Sequence, residues 1–242
     1  MTVKSRARLQ ILGDPEDLAQ HACDWLLGLA RASQGDFSVC LAGGSTPREL
    51  YEQLGQADQS FPWIRAHWFW GDERFAPHDD PRSNFHMARE AFLNRAPVPA
   101  ENIHPIPTEN IEPEAAAALY EQELKRFHGA DVLDAARPLF DVTLLGLGAD
   151  GHTASLFPGL SVLADRQHWV APAMGPKSEQ RITLTFPALE SSAHVAFLVA
   201  GQDKREILDR YLSGDEVLPA ARLRPVGDLL VFCDAAARPG GF

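Results

Sequence analysis

Residues 140–159 read FDVTLLGLGADGHTASLFPG, and the fold is legible from this stretch outward. Phe140, Val142, Leu144 and Leu145 form a short apolar run of the kind that makes a buried strand. The run breaks into Gly146, Gly148 and Gly151 and presents Asp150 and His152 just beyond it. In open α/β sheets the ligand crevice lies outside the carboxyl ends of the strands. A histidine delivered there is placed for proton transfer.

The same stretch satisfies G-x-G-x-x-G, the pattern of dinucleotide sites, at Gly146, Gly148 and Gly151. That pattern requires a long helix to open at the turn and an acid to end a second strand about 20 residues on. Pro158 and Gly159 limit any helix here to less than two turns, and no strand ends in an acid at that spacing. A nucleotide site is therefore disfavoured. Two readings of the stretch stay open: a catalytic histidine, or a glycine turn whose histidine only satisfies the backbone.

The second informative stretch is Phe37-Ser38-Val39-Cys40-Leu41, a strand that runs into Ala42-Gly43-Gly44-Ser45-Thr46-Pro47-Arg48. Leu50, Tyr51 and Leu54 then share one side of a helix. Glycines allow a tight turn with exposed N–H groups, Ser45 and Thr46 add hydroxyls, and Pro47 suits a first helical turn. Strand, glycine turn and helix N-terminus together form an anion site, most often for phosphate. The Walker spacing is absent. Ser45 or Thr46 is equally suited to capping the helix, which is compatible with binding phosphate.

The remaining strands read as 8–12, 66–70, a short edge strand around 103–106, 169–173, 181–186, 194–200 and 229–233. Between them lie a helix with Asp14 as cap and Pro15 first, one capped by Ser83, one from Glu112 to His128 and one through Tyr211. Strands alternating with helices over short connections imply a doubly wound, largely parallel sheet with helices on both faces. Residues 1–242 are expected to form one α/β domain.

Polar groups follow four strand ends: Gly43–Arg48, Gly71–Arg74, Gly146–His152 and Gly201–Lys204. In the second, Asp72 and Glu73 are candidates to hold Arg74, although charged loops are commonly just solvated surface. Lys177 and Arg181 sit together at a strand start and are candidates for an anion, although a lone pair of cations is more often just solvated. Lys204 opposes a helix dipole, a cost that either a bound phosphate or the neighbouring Asp203 would offset. The tail from Ala237 to Phe242 reads as disordered.

Composition narrows the function classes. The chain has 242 residues, is 45% hydrophobic and carries a net charge of −11. That balance disfavours nucleic acid and anionic membranes as partners. Cys23, Cys40 and Cys233 show neither metal-ligand nor disulfide spacing, which implies a reducing compartment. The N-terminal MTVKSRARLQIL lacks the apolar core of a signal peptide, and no run is long enough to span a bilayer. A cytoplasmic monomer is the expectation.

AGGSTPRELYEQL, WGDERFAPHDDPRSN, LLGLGADGHTASLFPG and KSEQRITLTFPAL, in this order, resemble the 6-phosphogluconolactonase family. The resemblance covers about Asp14 to Val231. GGSTP and LGxGxDGH are shared with the related glucosamine-6-phosphate deaminases and isomerases. That superfamily has a Rossmann-like parallel sheet with a small additional lobe. Deaminases carry a glutamate a few residues past the motif histidine, where this chain has Phe157. The resemblance thus implies hydrolysis of a sugar-phosphate lactone, with no cofactor and no metal. It implies His152 as general base, Arg74 as the group stabilising charge at either the carbonyl oxygen or the phosphate, and Asp150 as orienting or sugar-binding group. It assigns Gly43, Gly44, Ser45, Thr46, Asp72, Lys177, Arg181 and Lys204 to substrate and phosphate. An amino-sugar deaminase and a non-catalytic sugar-phosphate sensor are the alternatives.

Overall fold

The computed structural model describes residues 7–56 and 61–240. The first six residues of the N-terminal stretch and the last two of the tail lie outside the described residues.

The first half contains β1 (Arg8–Leu12), α1 (Pro15–Ala32), β2 (Phe37–Leu41), α2 (Ser45–Leu54), β3 (Ala66–Trp70), β4 (Asp72–Arg74), α3 (Asn84–Ala88) and β5 (Ile103–His104). The second half contains α4 (Pro113–His128), β6 (Phe140–Gly146), β7 (Val170–Met174), β8 (Gln180–Leu184), α5 (Phe186–Glu190), β9 (Ser192–Val199), α6 (Arg205–Leu212) and β10 (Asp228–Asp234).

Seven strands form a parallel sheet in the order β5-β3-β2-β6-β9-β10-β1. From β2 the chain winds outward through β3 to β5. It then returns beside β2 as β6 and winds the other way. The order reverses between β2 and β6, and a crevice opens at their carboxyl ends. The two glycine-rich stretches singled out in the sequence follow these two strands.

Helical segments cover both faces because successive strand residues point to opposite sides. Trp68 packs against Phe92 with ring centroids 4.8 Å apart, while its neighbour Phe69 packs against Phe127 of α4, also at 4.8 Å. All five residues of β2 are buried, as a central parallel strand requires. On α1, Asp14 Oδ1 accepts from the Asp17 N–H at 2.9 Å, Pro15 follows, and Leu18, Ala22 and Leu26 form the buried stripe.

The small lobe is an antiparallel sheet, β4-β8-β7, laid beside the carboxyl end of the main sheet. Residues 72–74 are therefore not loop, as read from sequence, but a strand. Three residues are too few for a period-2 pattern to show. No helix forms after Gly151; Thr153 and Leu156 form a bridge instead. The tail is ordered as far as Gly240: Ala237 is buried and its N–H donates to Asp234 at 2.8 Å. Among the described residues, no helix is long and apolar enough to cross a membrane.

Candidate active site

A cavity of about 260 Å³ opens over the carboxyl ends of β2 and β6. Gly43, Gly44, Ser45, Thr46, Asp72, Arg74, His152, Arg181 and Lys204 all line it. These are nine of the eleven residues singled out in the sequence. Asp150 lies behind His152. Lys177 is exposed, in a turn with φ 59°, and does not line the cavity. It lies in the turn before β8, whereas Arg181 is on β8 and lines the cavity.

His152 is fixed from both sides. Asp150 Oδ1 lies 2.5 Å from its Nδ1 and also accepts the His152 N–H at 3.1 Å. A carboxylate accepting at Nδ1 keeps the proton there and leaves Nε2 as a lone-pair acceptor. Burial pushes the Asp150 carboxyl up, but these hydrogen bonds from His152 outweigh it and hold the group below its usual range. The Phe157 ring stands 4.2 Å from the imidazole, centroid to centroid. Gly148 makes the packing possible: a Cβ there would fall 2.0 Å from His152 Nδ1.

The β2 turn places a helix end in the cavity. Gly44 precedes α2 with φ 109°, a conformation that L side chains rarely adopt. No side chain caps α2, so neither Ser45 nor Thr46 takes the capping role the sequence allowed. Ser45 and Thr46 are already the first two helical residues, where backbone N–H groups have no intrahelical acceptor. Those N–H groups and the helix dipole favour an anion.

The cations come from the small sheet and from the end of β9. Arg74 and Arg181 are direct cross-strand partners in the β4–β8 pair. Arg181 lies 3.7 Å from the buried Asp72 carboxylate and is also paired with Glu179. The Arg74 guanidinium donates to the Arg82 carbonyl, and its Nε is buried with no partner. Asp72 and Glu73 therefore do not hold the Arg74 guanidinium. Asp72 accepts from Ser155 Oγ at 2.5 Å and from Asn84 Nδ2 at 3.3 Å, which ties the loop after His152 to the small lobe. Glu73 is turned away from solvent toward α3. It accepts from the N–H groups of Asn84 and Phe85 at 2.8 Å, from that of Arg74 at 2.7 Å and from Ser83 Oγ at 2.9 Å. Burial pushes its carboxyl pKa upward, against the pull of these four donors.

Asn84 and Ala154 are among the lining residues not singled out as site residues in the sequence. Asn84 sits where a Cβ on Gly43 would fall 2.0 Å from its Oδ1, a contact with no local sequence signal. Ala154 faces the cavity with φ 47°, a strained conformation for a residue with a Cβ.

A family model described as glucosamine-6-phosphate isomerases/6-phosphogluconolactonase matches residues 13–231. The chain belongs to the glucosamine-6-phosphate isomerase/6-phosphogluconolactonase family. Within that family it is 41% identical to a 6-phosphogluconolactonase of Nostoc sp. over 95% of this chain and 96% of that one. It is 41% identical to one of Synechocystis sp., over 86% of each. The crystal structure of 6-phosphogluconolactonase from Thermotoga maritima superimposes with a TM-score of 0.81 at 31% identity, covering 95% of this chain and all of that one.

Proposed function

We propose that this chain hydrolyses 6-phospho-D-glucono-1,5-lactone to 6-phosphogluconate. The observation that carries the reading is one histidine, held by Asp150, facing a cavity that also holds a helix N-terminus and three cations. The names of the relatives point the same way.

His152 Nε2 takes a proton from water as the water oxygen bonds to C1. The carbonyl electrons move onto the exocyclic oxygen, where Arg74 stabilises the charge. The tetrahedral intermediate then collapses, the bond from C1 to the ring oxygen breaks, and His152 returns its proton to that oxygen. The α2 N-terminus with Lys204 and Arg181 holds the phosphate. Asp72 positions Arg181. No covalent intermediate on the protein is needed.

Phe157 favours this chemistry over amino-sugar deamination. It stands where the deaminase branch carries a glutamate, and its ring against His152 offers no second acid or base.

The test generates the lactone in situ from glucose-6-phosphate and follows its disappearance above an enzyme-free control. Wild type is expected to accelerate it, and folded His152→Ala to lose roughly 10²–10⁴-fold of that acceleration. Ammonia release from glucosamine-6-phosphate without lactone hydrolysis would overturn the reading in favour of a deaminase.

A further inference from the structure

Two of the three tyrosines in the chain make the same contact. Tyr51 on α2 is fully buried, and its hydroxyl accepts from the Ala42 N–H and donates to the Ala42 carbonyl, both at 2.9 Å. Tyr120 on α4 is 1% exposed, and its hydroxyl accepts from the Trp70 N–H at 2.8 Å and donates to the Trp70 carbonyl at 3.1 Å.

Both contacts fill a gap that the sheet creates. In a strand, the N–H and C=O of one residue point to the same neighbour, and successive residues alternate sides. Ala42 follows Leu41, whose carbonyl accepts the Gly71 N–H on the β3 side, so Ala42 faces β6. The β2–β6 pairing ends at Cys40 and Thr143, because the strands part at the crevice. Trp70 faces β5, where pairing ends at Phe69 and His104. Each backbone pair would otherwise be buried without a partner, which is costly for both groups. A hydroxyl that both donates and accepts replaces the missing strand. Phenylalanine would fill the same space and leave both groups unmet.

These are the last residues before the two turns that build the site. Gly43 and Gly44 follow Ala42; Gly71 and then Asp72–Arg74 follow Trp70. We infer that Tyr51 and Tyr120 are positioning residues, whose hydroxyls set the strand ends that deliver the phosphate turn and the Asp72–Arg74 strand. The inference deepens the proposed function and rests on it for its kinetic consequences. Tyr51 acts on substrate binding through the α2 N-terminus. Tyr120 acts on the chemical step through Arg74.

The test compares Tyr51→Phe, Tyr120→Phe and a core control, Phe140→Leu, at the opposite end of β6. Tyr51→Phe should raise KM for the lactone by roughly fivefold or more, the equivalent of about one hydrogen bond, with little change in kcat. Tyr120→Phe should lower kcat by a similar factor and leave KM nearly unchanged. Amide exchange should quicken at residues 42–46 in the first and 70–74 in the second. Restoring a donor–acceptor group with 4-aminophenylalanine should reverse each effect, and it substitutes for a phenylalanine variant that fails to fold. Kinetics and exchange matching those of Phe140→Leu in both variants would overturn the inference. If wild type does not hydrolyse the lactone, the proposed function fails. The local exchange then decides the tyrosine assignment by itself, quickening supporting it and unchanged protection rejecting it.

Discussion

Arg74 and Arg181 are paired directly across two antiparallel strands, and both reach into the same cavity. Like charges in that register repel. Asp72, 3.7 Å away, and Glu179 both compensate Arg181, whereas the Arg74 guanidinium donates to a neutral carbonyl, that of Arg82. An anion bound by Arg181 in the cavity reduces the repulsion. Inorganic phosphate or 6-phosphogluconate should therefore raise Tm, by an amount equivalent to about 2.7 kcal/mol at a hundred times its Kd. Thermal melts check this, and the stabilisation should shrink sharply in Arg181→Ala. An equal shift in that variant would remove Arg181 from the anion site.

Asp150 meets His152 at both its Nδ1 and its backbone N–H. Asn at 150 keeps the size but can present its amide N–H to Nδ1, which reverses the tautomer and puts the proton on Nε2. Asp150→Asn should cut kcat by at least about 10²-fold with KM nearly unchanged, since the group does not line the cavity. Steady-state kinetics with the lactone decides it. A rise in KM alone would make Asp150 a sugar-binding group.

Gly148→Ala tests how narrowly the imidazole is held. The added methyl would sit 2.0 Å from His152 Nδ1 and 2.8 Å from Asp150 Oδ1, so both must move. Displacement by about 1 Å commonly costs on the order of 10²-fold in rate. The contrasting substitution is Gly28→Ala on α1, where nothing lies within 4 Å of the new Cβ. It should stabilise the protein by roughly 0.4–1 kcal/mol and leave turnover intact. Activity and melting temperature of the two variants, measured together, separate crowding at the site from any general intolerance of alanine.

Stability should fall in acid through a cluster far from the cavity. His67 Nδ1 lies 3.0 Å from His104 Nε2, and His104 Nδ1 lies 2.9 Å from Glu123 Oε1. Burial lowers the pKa of both histidines, with Glu123 pulling His104 and Asp36 pulling His67 back up. The unfolded chain therefore takes up these protons first. Their contribution is complete above the ordinary histidine value, about 6.5, and is lost as pH falls from there toward the folded values. Tm should drop between about pH 7 and 5, by roughly 2–4 °C for each kcal/mol lost. His104→Gln can still donate to Glu123 and accept from His67 but does not titrate, so its melts should depend less steeply on pH. An unchanged slope would place the acid sensitivity elsewhere.

The parallel sheet was legible because its central strands are continuous apolar runs bounded by glycine turns, as in FSVCL and FDVTLLG. Strand-end chemistry was legible for the same reason: position past a buried strand is a local property. The small lobe was less so. β4 is three residues long and its partner lies more than a hundred residues on, so no local pattern announces the Arg74–Arg181 register. Nor could spacing show that Asp72 turns toward Ser155 and Arg181, or that Glu73 caps α3. The aspartate two residues before His152 was too close in sequence to be assumed a partner. The tight turn closed by the Gly148 N–H on the His152 carbonyl, at 2.9 Å, brings it there. Lys177 is the opposite case, a neighbour in sequence that the β-turn geometry carries away from the cavity.

The pairing of β1 with β10 sets Arg8 beside Leu230 and Leu12 beside Asp234. The strand that leaves the ribosome early must therefore wait for one that emerges more than two hundred residues later. Until then β1 has no place in the sheet, and β9 ends it as an open edge, a template for pairing with other nascent chains. Vectorial synthesis thus cannot finish this sheet piecemeal. Stalling translation just before Asp228 should leave β1 readily cleaved by protease, and release of the full chain should protect it.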